Sequence, residues 1–186
     1  MTILLVLVVV LVLLGLLLVF LYNRLVRLRN RVDNAWAQIE VQLKRRWDLI
    51  PNLVETVKGY AAHERETFEA VTEARARAQQ AQTPGEAAQA EGILGAALGR
   101  LLAVAEAYPE LQADENFRQL QTELAETENR VAVARQVYND AVLTYNNAIQ
   151  TFPGLVVAGP FGFTAREFFE VEEEAQREPP QVDFAR

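Results

Sequence analysis

Residues 3–21 read ILLVLVVVLVLLGLLLVFL, an apolar run without charge, proline or strongly polar side chain. Wound as an α-helix it would extend about 28 Å, close to the ~30 Å hydrocarbon core of a bilayer. The remainder of the chain is charged, helical in pattern and too polar to enter lipid. The chain is therefore expected to be a helical body held at a membrane by one N-terminal span. A cleaved secretory signal is the alternative for the run. Such signals carry a basic n-region and a small-residue cleavage site. Here only Met1 and Thr2 precede the run, and the exit Phe20-Leu21-Tyr22-Asn23-Arg24 has no A-x-A-like site and no cysteine for lipid attachment. An uncleaved anchor is the expectation. Gly15 alone does not make a helix-dimerisation motif, which needs small residues four apart.

Arg24, Arg27, Arg29 and Arg31 stand just after the run, with no acid before Asp33. Positive juxtamembrane residues tend to stay cytoplasmic, and each attracts anionic headgroups by about 1 kcal/mol near the surface. This flank is read as the membrane-surface site. It places the bundle on the cytoplasmic side of a single-pass cell-membrane protein, with the opposite topology as the alternative. The 186-residue chain carries a formal net charge of −7, which excludes nucleic acid as the expected partner. There is no cysteine, so disulfides, thiolate metal sites and cysteine nucleophiles are excluded, and serine is also absent.

Beyond the anchor (1–21), a helical bundle is expected over 22–151, an apolar capping segment and short helix over 152–170, and an acidic, disordered tail over 171–186. From Tyr22 to about Gln82 the helical pattern is nearly continuous. Trp36, Leu43, Ile50, Val57, Val71 and Ala78 occupy one heptad position; Ile39, Leu53, Tyr60 and Ala74 occupy the other. Arg46, Glu64 and Thr67 interrupt this stripe, which otherwise has the spacing of a helix packed lengthwise on others. Pro51 predicts a kink near residues 47–50, or else Asp48 caps a new helix there. Thr83-Pro84-Gly85-Glu86 is a capping box opening a helix to about Ala107. Gly95 and Gly99 within it suggest close packing of soluble helices. A third helix is predicted from Asp114 as N-cap to about Thr151. Phe117, Leu124, Val131, Tyr138, Tyr145 and Phe152 recur in it at sevens, with Leu120, Thr127, Ala134, Ala141 and Ala148 opposite them. The segment 152–163, FPGLVVAGPFGF, is expected to cap one end of the bundle, with insertion into the membrane interface as the alternative. Thr164-Ala165-Arg166-Glu167 predicts a second capping box and a short helix. No strand pattern appears, so the fold class is all-α: a transmembrane helix followed by an elongated antiparallel bundle.

Catalytic chemistry finds no support. The single histidine, His63, cannot form a HExxH zinc site, and the Glu-x-x-His spacing of bundle metal sites is lacking because Tyr60 stands three residues before it. No catalytic, cofactor or metal residues are assigned, and no cofactor is expected. Asparagine is a poor helix former. Its repetition on strong helices marks Asp48, Asn52, Asn129, Arg130, Asn139 and Asn146 as candidates for inter-helix or partner contacts, with Glu128 and Asn147 beside them.

Two long blocks resemble the LemA family. They are residues 22–71, YNRLVRLRNRVDNAWAQIEVQLKRRWDLIPNLVETVKGYAAHERETFEAV, and residues 107–146, AYPELQADENFRQLQTELAETENRVAVARQVYNDAVLTYN. The order of the apolar segment, these blocks, Phe152-Pro153 and Gly162-Phe163 is also similar. The resemblance implies a bacterial membrane protein with a long-helix bundle, no established catalytic activity and no catalytic residues to transfer. Some members carry a lipid-modified cysteine and face outward, a mode that this cysteine-free chain cannot use. The functional expectation is a membrane-tethered, non-enzymatic scaffold or adaptor, acting through a protein partner or a homo-oligomer. The alternatives are a regulatory subunit of a membrane enzyme or transporter and, remotely, a carboxylate-metal bundle enzyme.

Overall fold

The computed structural model describes residues 1–170, so the acidic tail predicted over 171–186 lies outside the described residues. Among the described residues six helices occur in chain order: α1 Thr2–Tyr60, α2 Arg65–Gln80, α3 Pro84–Glu106, α4 Pro109–Ala113, α5 Glu115–Gln150 and α6 Gly154–Ala158. There is no strand among the described residues. The all-α expectation holds.

The chain divides into two compact units, each using part of α1 and part of α5. Unit 1 comprises Met1–Leu43 and Glu128–Phe168. Its core takes Leu25, Val32, Ile39 and Leu43 from α1, and Tyr138, Val142, Tyr145 and Ile149 from α5. The apolar residues recur near every third to fourth position, which keeps each buried stripe on one helix face. Fully burying one such aliphatic side chain contributes about 1.5–3 kcal/mol. Before Leu21 the first five turns of α1 are exposed all round. That stretch is a candidate membrane span, with none of its apolar window buried.

Unit 2 comprises Lys44–Thr127 together with residues 169–170. Ile50, Leu53 and Val57 of α1, Phe68, Val71, Ala74 and Ala78 of α2, Leu94, Leu98 and Leu101 of α3, and Phe117 and Leu124 of α5 form its core. The helix α3 is also apolar enough to be a candidate span, but 44% of its window is buried in this core. It serves as a core helix.

Side-chain caps open α3 and α5 where the sequence places them. Thr83 Oγ1 accepts from the N–H of Glu86 at 3.2 Å, and Glu86 Oε2 accepts from the N–H of Thr83 at 3.3 Å. The predicted capping box is present. Asp114 Oδ1 accepts from the N–H of Phe117 at 2.9 Å, so Asp114 caps α5 as its sequence position implies.

Four expectations need correction. The helix expected from Tyr22 to about Gln82 is interrupted: α1 ends at Tyr60 and α2 begins at Arg65. A turn closes with the N–H of Glu64 on the carbonyl of Ala61 at 3.1 Å. Glu64 and Thr67, two of the three breaks in the apolar stripe, stand at this turn and just after it, whereas the third break, Arg46, lies inside the unbroken α1. Second, no fresh helix starts at Asp48, because α1 runs through Pro51. Third, Gly95 and Gly99 are not sites of close helix packing. A Cβ on Gly95 would meet only the end of the Arg46 side chain at 4.0 Å, and one on Gly99 would meet nothing within 4 Å. Fourth, residues 164–167 do not open a helix; residues 163–170 carry no helical structure. The short helix of this region is α6 instead. It approaches α5 so closely that a Cβ on Gly154 would stand 2.0 Å from the Ala148 carbonyl oxygen, which only glycine allows.

Candidate functional site

Three features of unit 1 and one of unit 2 concentrate the polar chemistry and exposed apolar surface of the body. The first is an open groove of about 620 Å³ between α1 and α5. Ala37, Gln38, Val41 and Gln42 line one wall; Asn129, Arg130, Val133, Ala134 and Val137 line the other. The small Ala37 and Ala134 leave the trough unfilled, and valines stand on its lips. Val41 is 63% exposed, Val133 64% and Val137 45%, values that contrast with the buried Ile39 and Leu43 beside them. Gln42 Oε1 is buried and accepts no hydrogen bond. The groove thus offers aliphatic surface, with the Gln42 acceptor buried beneath it.

The second feature is a collar where the apolar run ends. Tyr22 lies 5.0 Å from the Phe161 ring and 5.7 Å from that of Phe163, centroid to centroid. The Arg29 guanidinium sits 5.4 Å from the Phe163 centroid, within cation–π range. Leu21, Arg24 and Leu25 share a small cavity with Phe152, Pro153 and Gly154. Segment 152–163 therefore folds back against the start of the body. Gly154, Val157, Ala158 and Phe163 are buried there, while Phe152, Leu155, Val156 and Phe161 remain exposed.

The third feature is an extended strap over residues 164–168. Asn146 Nδ2 donates to the Arg166 carbonyl and Asn146 Oδ1 accepts from the Arg166 N–H, both at 2.9 Å. Tyr138 donates its phenol to the Glu167 carbonyl at 2.8 Å. Arg166 also pairs with Asp33 at 2.9 Å. These bonds satisfy strap backbone groups from α5 side chains, the reason the predicted helix does not form. Burial pushes the Tyr138 phenol up to about 12, so it stays a neutral donor at ordinary pH.

In unit 2, Glu91 is buried. It receives Arg46 Nη1 at 2.8 Å on Oε2 and Trp47 Nε1 at 2.7 Å on Oε1. Arg46 and Glu91 are 6% and 5% exposed. The sequence presents Arg46 only as a break in an apolar stripe, and nothing local to Glu91 signals its role.

The sequence-selected residues scatter over these features. Arg24, Arg27 and Arg31 are exposed beyond the apolar run, and Arg29 is half-buried against Phe163. Asn129 and Arg130 share the groove. Asn139 stands on α5 beside Gln136 and Asp140. Asn146 holds the strap rather than another helix. Asp48 and Asn52 are exposed on the unit 2 part of α1. They form no single polar strip. His63 is exposed in the α1–α2 turn, and no three His, Asp or Glu side chains converge in a metal-holding group among the described residues.

The LemA family profile matches residues 35–184, most of the chain. The chain belongs to the LemA family. Relatives include Magnetosome protein MamQ 2 of Paramagnetospirillum magneticum, 30% identical over 80% of this chain and 64% of that protein. Magnetosome protein MamQ of Magnetospirillum gryphiswaldense is 28% identical over the same shares. Protein LemA of Metamycoplasma hominis is 26% identical over 70% of this chain and 60% of its own length. The chain thus spans less than two thirds of the length of the curated relatives it matches. For this LemA-family chain, membership and the exposed apolar helix together point to a membrane-associated helical protein.

Proposed function

We propose that this LemA-family protein is a single-span, membrane-tethered scaffold without enzymatic activity that receives a helix of another protein chain in the unit 1 groove. The apolar run of α1 is the tether, and the arginine flank keeps the body on the cytoplasmic side. The observation that carries the proposal is the exposure of Val41, Val133 and Val137 on facing helices around the same trough. Apolar side chains in a groove are the usual receptor for the apolar face of a helix. The relatives named as magnetosome proteins support a membrane setting for this chain.

The test uses the absence of native cysteine. Val133→Cys carrying a photoreactive label, in membranes of expressing cells, should give one discrete covalent adduct. Its mass distinguishes a second copy from a different protein. Adding Val41→Glu and Val137→Glu should abolish it. A labelled protein that forms no adduct and elutes from detergent as a monomer overturns the scaffold reading.

A further inference from the structure

The segment 152–161 presents apolar side chains at one particular height. Phe152 is 82% exposed, Leu155 57%, Val156 57% and Phe161 59%. They occur on both sides of Gly154, Val157 and Ala158, which are buried. The segment is held in place and its apolar tips are nevertheless turned outward. Its anchoring contacts are to Leu21, Tyr22, Arg24 and Leu25. Those residues lie within about one helical turn, roughly 6 Å of rise, of the end of the apolar run. The polar layer flanking the hydrocarbon core is itself about 5–7 Å deep on each side. Continuity with the candidate span thus identifies what would cover these tips.

We propose that residues 152–161 form a second, monotopic membrane contact: a preformed loop whose Phe152, Leu155, Val156 and Phe161 enter the interface of the bilayer that α1 crosses. This rests on the tethered reading of α1. Apolar tips beside exposed cations are the composition of an interfacial element. Here Arg24, Arg27 and Arg31 supply the cations for anionic headgroups. The Tyr22–Phe161 and Tyr22–Phe163 ring contacts and the Arg29 guanidinium over Phe163 order the loop beforehand, which lowers the cost of insertion. Two contacts with one bilayer also restrict how unit 1 tilts and turns about the span. The loop would therefore set which way the α1–α5 groove faces along the membrane.

The full chain carrying Leu155→Cys or Val156→Cys, labelled with an environment-sensitive fluorophore, is reconstituted into phosphatidylcholine/phosphatidylglycerol vesicles. Emission should shift to the blue and be quenched by nitroxide lipids labelled near the headgroup. The same label at Gln136→Cys, exposed on α5 about 18 Å further along the helix from Ala148, should keep its aqueous emission. Carbonate extraction is run in parallel. Protein that stays in the membrane while the 155 and 156 labels remain water-like overturns the loop insertion and leaves the tether standing. Labels shielded from both nitroxide lipid and an aqueous quencher mean that protein covers the loop, which also overturns it. Release of the whole chain by carbonate overturns the tether and the loop contact together.

Discussion

Arg75 Nε donates to the Trp47 carbonyl at 2.8 Å, and this is the carbonyl to which Pro51 can offer no N–H. A proline inside a helix removes the bond to the residue four before it and usually bends or ends the helix. Here a guanidinium from α2 takes the place of the missing donor, and α1 continues from Thr2 to Tyr60. The relationship makes a testable pair. Arg75→Met should destabilise the protein by about 1–3 kcal/mol, because a partly buried carbonyl loses its donor. Pro51→Ala should recover more stability in the Arg75→Met background than in the native one, since it restores the backbone N–H. Urea unfolding of the four proteins in the cycle measures this; strict additivity would show that Arg75 does not compensate for Pro51.

Glu91 gathers Arg46 and Trp47 in the interior of unit 2. Removing one member of a buried ion pair leaves an uncompensated charge, so Glu91→Leu should cost about 3–5 kcal/mol. Replacing both partners, Glu91→Leu with Arg46→Met, should cost clearly less than that single change, as apolar groups of similar volume need no partner. Denaturant midpoints of the single and double variants decide it. A double variant as damaged as the single one would mean that packing, not charge, is the issue.

Asn146 bonds the Arg166 backbone twice, through a donor and an acceptor. Asn146→Asp keeps the acceptor but sets a carboxylate against the Arg166 carbonyl, and Asn146→Leu removes both bonds. Each should destabilise by about 1–3 kcal/mol. Hydrogen exchange should show the Arg166 amide losing protection in Asn146→Leu, with the α3 amides of unit 2 unchanged.

Asp114 has its carboxyl held below the ordinary carboxylate range, first by the N–H of Phe117 and then by the Tyr60 phenol, whose bond is 3.1 Å long. The phenol is in turn raised, chiefly by that same bond. A group whose folded pKa is depressed stabilises the fold above its unfolded pKa, about 3.9, and loses that contribution as pH falls through the lower folded value. Stability should therefore fall on acidification below about pH 4. Asp114→Asn, which keeps a capping oxygen but cannot titrate, should show a shallower decline. Melting temperature followed across this acid range measures the difference, and parallel curves would refute the assignment.

Much of the architecture was legible along the chain. The apolar run, the stripes with Ile39, Leu43 and Ile50, the sevens of Phe117, Leu124, Tyr138 and Tyr145, and the caps at Thr83 and Asp114 all reappear. These signals are local: each depends on side chains a few residues apart on one helix. The turn at residues 61–64 escaped because no proline or Asn-Gly marks it, and the breaks at Glu64 and Thr67 look the same as the one at Arg46, which lies inside a continuous helix. The groove was half legible, since Asn129 and Arg130 stood out while Val133 and Val137 looked like ordinary positions on a strong helix.

From sequence alone came the helical class, the apolar N-terminal helix and the starts of α3 and α5, because propensity, capping and periodicity act within one or two turns. Tertiary structure decided which polar groups are satisfied and by whom. Arg75 reaches Trp47 across 28 positions, Arg46 reaches Glu91 across 45 and Asn146 reaches Arg166 across 20. Such partners are selected by three-dimensional approach and by the cost of leaving a buried donor or acceptor unmet, and neither leaves a periodic trace in the chain.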